Sequence, residues 1–143
     1  MTKSKYALAI AGVVTALIGA STVAHADMLK FHANMVAGDE TPPTTSKGKG
    51  TADVTIDTTA KKVMWTVKVD GLTGAATAAH IHGPAAKGAK APPEIDMSKT
   101  IMDGSAPITD AQIADIKAGK TYVNVHTAKF PDGEIRGQLE VAK

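Results

Sequence analysis

Residues 121–139 read Thr121-Tyr122-Val123-Asn124-Val125-His126-Thr127-Ala128-Lys129-Phe130-Pro131-Asp132-Gly133-Glu134-Ile135-Arg136-Gly137-Gln138-Leu139. Val123 and Val125 alternate with Tyr122, Asn124 and His126. Ile135, Leu139 and Val141 alternate with Glu134, Arg136, Gln138 and Glu140. A period of two is the signature of a strand with one face on a core and one toward water. Phe130-Pro131-Asp132-Gly133 sets proline and glycine at the second and fourth positions of a type I turn, which predicts a hairpin of the two strands. If Phe130 pairs with Glu134, His126 lies opposite Gln138 with Arg136 on the diagonal, and Glu134, Arg136 and Gln138 share the histidine's face.

The same alternation recurs upstream. Leu29, Phe31, Ala33 and Met35 form one apolar stripe, Ala52, Val54 and Ile56 a second, and Val63, Trp65, Val67 and Val69 a third. Turn-rich pieces separate them: Gly38 to Pro43, Ser46 to Gly50, Asp70-Gly71, and an irregular excursion from Gly83 to Pro93. The pairs Asp39-Glu40 and Asp132/Glu134 fall in turn contexts and read as solvated acids. One helix is marked at about residues 110–118. Thr109 is its N-cap, Gln112 completes a capping box, Ile108 and Ile113 occupy the hydrophobic-staple positions, and Gly119 suits the C-terminal stop. Short antiparallel strands with one small helix predict an all-β fold, a Greek-key β-sandwich or barrel.

The chain has 143 residues, 16 basic and 14 acidic side chains and no cysteine. Disulfides, thiolate metal sites and cysteine nucleophiles are excluded. Residues 1–26 read as a secretory signal peptide, with Lys3 and Lys5 before an apolar run and Ala24-His25-Ala26 at the cleavage position. Its removal leaves 14 basic against 14 acidic residues in one domain, residues 27–143. Such a balance gives no electrostatic footprint for nucleic acid or anionic lipid. A periplasmic or secreted protein with no membrane association after cleavage is expected. No nucleophile elbow, phosphate-binding loop or dinucleotide fingerprint is present. Met28, Met35, Met64, Met97 and Met102 are dispersed and read as core filling.

Four histidines remain after cleavage: His32, His80, His82 and His126. In a strand, residues two apart share a face. His80 and His82 therefore point together, away from a core that takes Ile81, and His126 points away from a core that takes Val123 and Val125. If these strands are neighbours, three imidazoles converge on one outer sheet face. Neutral imidazoles suit Cu(II) and Zn(II). His32, also on a polar strand face, is a candidate fourth ligand. Glu134, Arg136 and Gln138 are candidates to hold the ligating rings from behind.

The sequence resembles the chordin-domain (CHRD) family. The resemblance is carried by Gly38-Asp39-Glu40-Thr41-Pro42-Pro43, Gly71-Leu72-Thr73-Gly74, Ala79-His80-Ile81-His82-Gly83-Pro84-Ala85, Gly119 to Thr127, and Pro131 to Leu139. Thr41, just before the two prolines, stands where that family more often has valine. The resemblance implies an extracytoplasmic all-β domain and no settled activity. A fainter likeness of fold and ligand pattern is to copper–zinc superoxide dismutases, without their cysteines or zinc loop. Together these readings predict an immunoglobulin-like or superoxide-dismutase-like β fold that binds copper, with zinc second, for metal binding, storage or delivery. Two alternatives stand beside it. One is a copper-dependent superoxide dismutase in which Arg136 attracts the anion. The other is a metal-free structural or adhesive module.

Overall fold

The computed structural model describes residues 27–143, so the expected signal peptide, residues 1–26, lies outside the described residues. The described chain forms β1 (Met28–Val36), β2 (Lys49–Asp57), β3 (Lys62–Asp70), β4 (Ala76–His82), β5 (Pro93–Asp96), β6 (Asp103–Pro107), α1 (Asp110–Lys117), β7 (Tyr122–Thr127), β8 (Ile135–Gln138) and β9 (Glu140–Val141). The strands make one antiparallel sheet in the order β5-β4-β7-β8-β1-β2-β3-β6, with β9 beside β1, curled into a nearly closed barrel.

The two edge strands, β5 and β6, are consecutive in the chain. The short segment between them spans the gap that hydrogen-bonded pairing leaves. Met97 N–H donates to Ala79 of β4 at 2.9 Å, and Val67 N–H of β3 donates to Met102 at 2.7 Å. The Trp65 indole N–H donates to the Thr100 carbonyl at 2.9 Å, so the largest core side chain is satisfied at the seam. A covalent crossing thus protects both edges.

The core follows the alternation. Phe31, Ala33, Met35, Ala52, Val54, Ile56, Val63, Trp65, Val67, Ala79, Ile81, Val123, Val125, Ile135 and Leu139 point inward and are buried. The helix adds Ile113 and Ile116 to the same cluster, and its capping box between Thr109 and Gln112 forms as the sequence predicts. Val141 departs from the pattern: β9 has only two residues, and this side chain is 68% exposed.

The outer face of β7 and β8 is the main departure. All six residues of β7 are buried, and Arg136 of β8 is 2% exposed. Irregular segments cover this face. Arg136 donates to the Ala89 carbonyl at 2.7 Å, and Gln138 donates to Ala85 and Gly119. The expected register is also corrected. Val125 pairs with Ile135, Asn124 with Arg136 and Tyr122 with Gln138. The expected turn forms, with Gly133 N–H donating to Phe130 at 3.1 Å. Thr127 and Phe130, however, close a turn of their own before it, which lengthens the connection. Gln138 therefore lies opposite Tyr122, four residues along β7 from His126.

Glu134 is not a solvated turn acid. It is fully buried, and its carboxylate accepts from Ser46 Oγ at 2.5 Å, Thr73 N–H at 2.8 Å, Thr73 Oγ1 at 2.7 Å and Thr127 Oγ1 at 2.5 Å. Burial pushes its pKa up, but the bonds from Ser46, Thr127 and Thr73 outweigh burial and hold it below its ordinary value. A depressed carboxylate pKa contributes stability that is present above the unfolded-state value and lost as pH falls through the folded one. Glu134→Ala strands three donor residues and should cost on the order of 3 kcal/mol in denaturant unfolding at neutral pH. The difference from wild type should shrink as the pH drops below the carboxylate range.

Candidate metal centre

β4 and β7 are neighbours, the condition that the histidine reading requires. Their register pairs Ala78 with His126, His80 with Asn124 and His82 with Tyr122. Ile81, Val123 and Val125 take the inner positions, so these six residues share the outer face. Ala78 adds no bulk opposite His126, and the imidazoles of His80 and His126 reach each other on the diagonal, 3.0 Å apart between Nδ1 and Nε2.

His80, His82 and His126 each offer one ring nitrogen, and these atoms lie within 4.8 Å of one another. Two ligand atoms at about 2.0–2.1 Å from a shared ion are about 3.0–3.4 Å apart, so the His80–His126 contact already has the spacing of a coordination edge. The group points away from the apolar core, as expected, yet it does not face open water. His126 is only 8% exposed, while His80 and His82 are half-buried.

The backbone sets the tautomers. A neutral imidazole has one N–H and one lone pair, and a carbonyl can only accept. His82 therefore donates Nδ1–H to Ala91 at 2.9 Å, and His126 donates Nδ1–H to Pro131 at 2.8 Å. Both Nε2 atoms are left as lone pairs aimed into the cluster. The Asp96 carboxylate lies 3.8 Å from His80 Nε2, and hydrogen bonding by Ser98 holds its pKa below the ordinary value. Without an ion, His80 donates Nδ1–H to the His126 Nε2 lone pair at 3.0 Å, and an ion bound there would move that proton to Nε2, on the Asp96 side. Burial, with the neighbouring His126 and His82, pushes the His80 pKa down. Burial also leads the lowering at His82, with smaller downward contributions from His126 and Arg136. Neutral imidazole, the ligating form, is thereby favoured.

The other sequence candidates lie elsewhere. His32 is on β1, bonded to Asp53 at 2.7 Å and to Asn34 at 3.3 Å, and is not in the three-histidine group. Glu134 bonds to hydroxyls and one backbone amide, Gln138 to two carbonyls, and Arg136 to Ala89 and Thr41; none bonds to a histidine of the group. Backbone carbonyls of Ala91 and Pro131 hold two of the rings instead. Tyr122 stacks on His82 at 4.8 Å between centroids, and the Arg136 guanidinium lies 3.4 Å from the Tyr122 ring centre. Tyr122 also donates to the Ala91 carbonyl that holds His82. Arg136 thus acts on the cluster through Tyr122, a role hidden by the expected register. Asn124, which the sequence reading passed over, lies 3.0 Å from both His82 and His126. Its place two residues before His126, on the same strand face, is the signal that could have found it.

The family model of the CHRD domain matches residues 31–139, which contain every residue of this cluster. No curated protein and no solved structure matches the chain. The hydrogen bonding predicts that histidine side-chain nitrogen NMR at neutral pH shows His82 and His126 as Nδ1–H tautomers. An Nε2–H signal from either ring would contradict the assignment.

Proposed function

We propose that this chain, which belongs to the CHRD-domain family, binds one divalent transition-metal ion through His80, His82 and His126. The observation that carries the reading is the convergence of three imidazole nitrogens within 4.8 Å, two of them with lone pairs fixed inward by backbone carbonyls. Such preorganisation removes part of the ordering cost of binding.

Copper is the preferred ion and zinc the second. Imidazole donors suit both, copper stands above zinc in the divalent affinity order, and the chain has no thiolate to favour softer chemistry. The signal-like residues 1–26 support export, so binding, storage or delivery of the ion takes place in the periplasm or outside the cell. Among the described residues, no helix is long and apolar enough to cross a membrane.

Titration of the purified protein with Cu(II), followed by electron paramagnetic resonance, should give a one-to-one complex with nitrogen hyperfine structure. His82→Ala and His126→Ala should each weaken binding by at least tenfold. His32→Ala should leave it unchanged, because that ring is engaged with Asp53 on another part of the sheet. Absence of saturable binding of both copper and zinc by the wild-type protein would overturn the proposal.

A further inference from the structure

Asn124 occupies the middle of the histidine cluster. Its cross-strand partner is His80, and its Oδ1 lies 3.0 Å from Nε2 of His82 and 3.0 Å from Nε2 of His126. A hydrogen bond at either contact needs a proton on Nε2. The carbonyls of Ala91 and Pro131 take the single proton of each neutral ring at Nδ1. The amide oxygen and two imidazole nitrogens therefore meet as three electron-pair donors; His80 Nδ1–H can reach the His126 nitrogen, but Asn124 Oδ1 and His82 Nε2 still face each other with no proton between them unless a cation is shared among the group.

The opposite end of the amide accounts for this orientation. The Asn124 amide nitrogen lies on the Glu40 side, beside Gly133 and away from the histidines. Glu40 is buried, brought over β7 by the loop after β1. Gly133 leaves the room for the pair: a Cβ there would lie 2.9 Å from Asn124 Nδ2 and collide with Glu40 Oε1. With its NH2 directed to an acid, the amide presents oxygen to the histidines.

Resting on the metal-binding reading above, we propose that Asn124 is the fourth ligand, its Oδ1 completing a set with His80 Nδ1, His82 Nε2 and His126 Nε2. The centre is then a three-nitrogen, one-oxygen site in which β7 supplies two ligands and β4 two. An amide oxygen is a hard, neutral donor, so the set favours a divalent ion over a soft monovalent one.

The test compares wild type, Asn124→Leu, Asn124→Asp and His82→Ala by Cu(II) titration and electron paramagnetic resonance, with thermal unfolding of each metal-free protein as the check on folding. Asn124→Leu removes the oxygen at similar volume and should weaken binding at least tenfold. Asn124→Asp keeps an oxygen in place and adds charge, so it should bind at least as tightly as wild type, with a shifted copper hyperfine splitting. The inference falls if folded Asn124→Leu binds as wild type does with a superimposable spectrum. It also falls if folded Asn124→Asp loses binding, because a donated amide hydrogen, not a ligand oxygen, would then be what the site requires. In either case, loss of binding in His82→Ala alone leaves the three-histidine site standing. No binding by wild type removes both.

Discussion

A single buried carboxylate organises the outer half of this protein. Glu134 stands just before β8 and collects hydrogen bonds from Ser46 on the loop before β2, Thr73 on the loop before β4 and Thr127 at the end of β7. Its own carbonyl accepts from Thr44 at 2.8 Å, a second tie to the first loop. An ionised carboxylate in a buried position is tolerable only when such donors replace its water. The donors come from segments far apart in sequence, so satisfying Glu134 fixes where those segments lie. One of them continues to Glu40 over Asn124. Another, Thr127, follows His126 directly. The geometry of the histidine cluster therefore depends on an acid that touches none of its rings.

The inner half was legible from the alternation alone. Val123, Val125, Ile81, Trp65 and their partners follow a period of two because each faces a single core, and the capping residues around α1 act locally. The outer half was not, because strand periodicity records which residues avoid the core and is silent on what lies above them. Arg136 and Glu134 have the sequence pattern of solvent-facing residues and are buried, since the irregular segments that cover them show no periodicity to be read. The β7–β8 register failed for a related reason. The Pro131-Asp132-Gly133 turn was visible, but the additional turn closed between Thr127 and Phe130 has no comparable signature.

The site shows the same division. The convergence of His80, His82 and His126 followed from side-chain alternation plus the adjacency of β4 and β7. The groups that orient the rings could not follow, because two of them are carbonyls of Ala91 and Pro131 in irregular segments. Any residue type has a carbonyl, so sequence identity carries no trace of this role. Tyr122 is an intermediate case: its alternation places it on the outer face, but its stacking between His82 and Arg136 appears only once the register is known.

Burial gives these contacts their consequence. In open water the two Nε2 lone pairs and the Asn124 oxygen would each be hydrated, and their orientation would carry little energy. Under the covering segments, water competes less and the local dielectric is lower, so both repulsion among like donors and attraction to a shared cation grow. Asp96 and Glu40 place carboxyl groups on two sides of the cluster, while the Arg136 charge is held off behind the Tyr122 ring. An ion bound there would join β4 to β7 and, through the rings' Nδ1 bonds, to the segments carrying Ala91 and Pro131. In a chain without cysteine, that cross-link would tie strands and covering loops together, and its contribution to stability would rise with the free ion concentration.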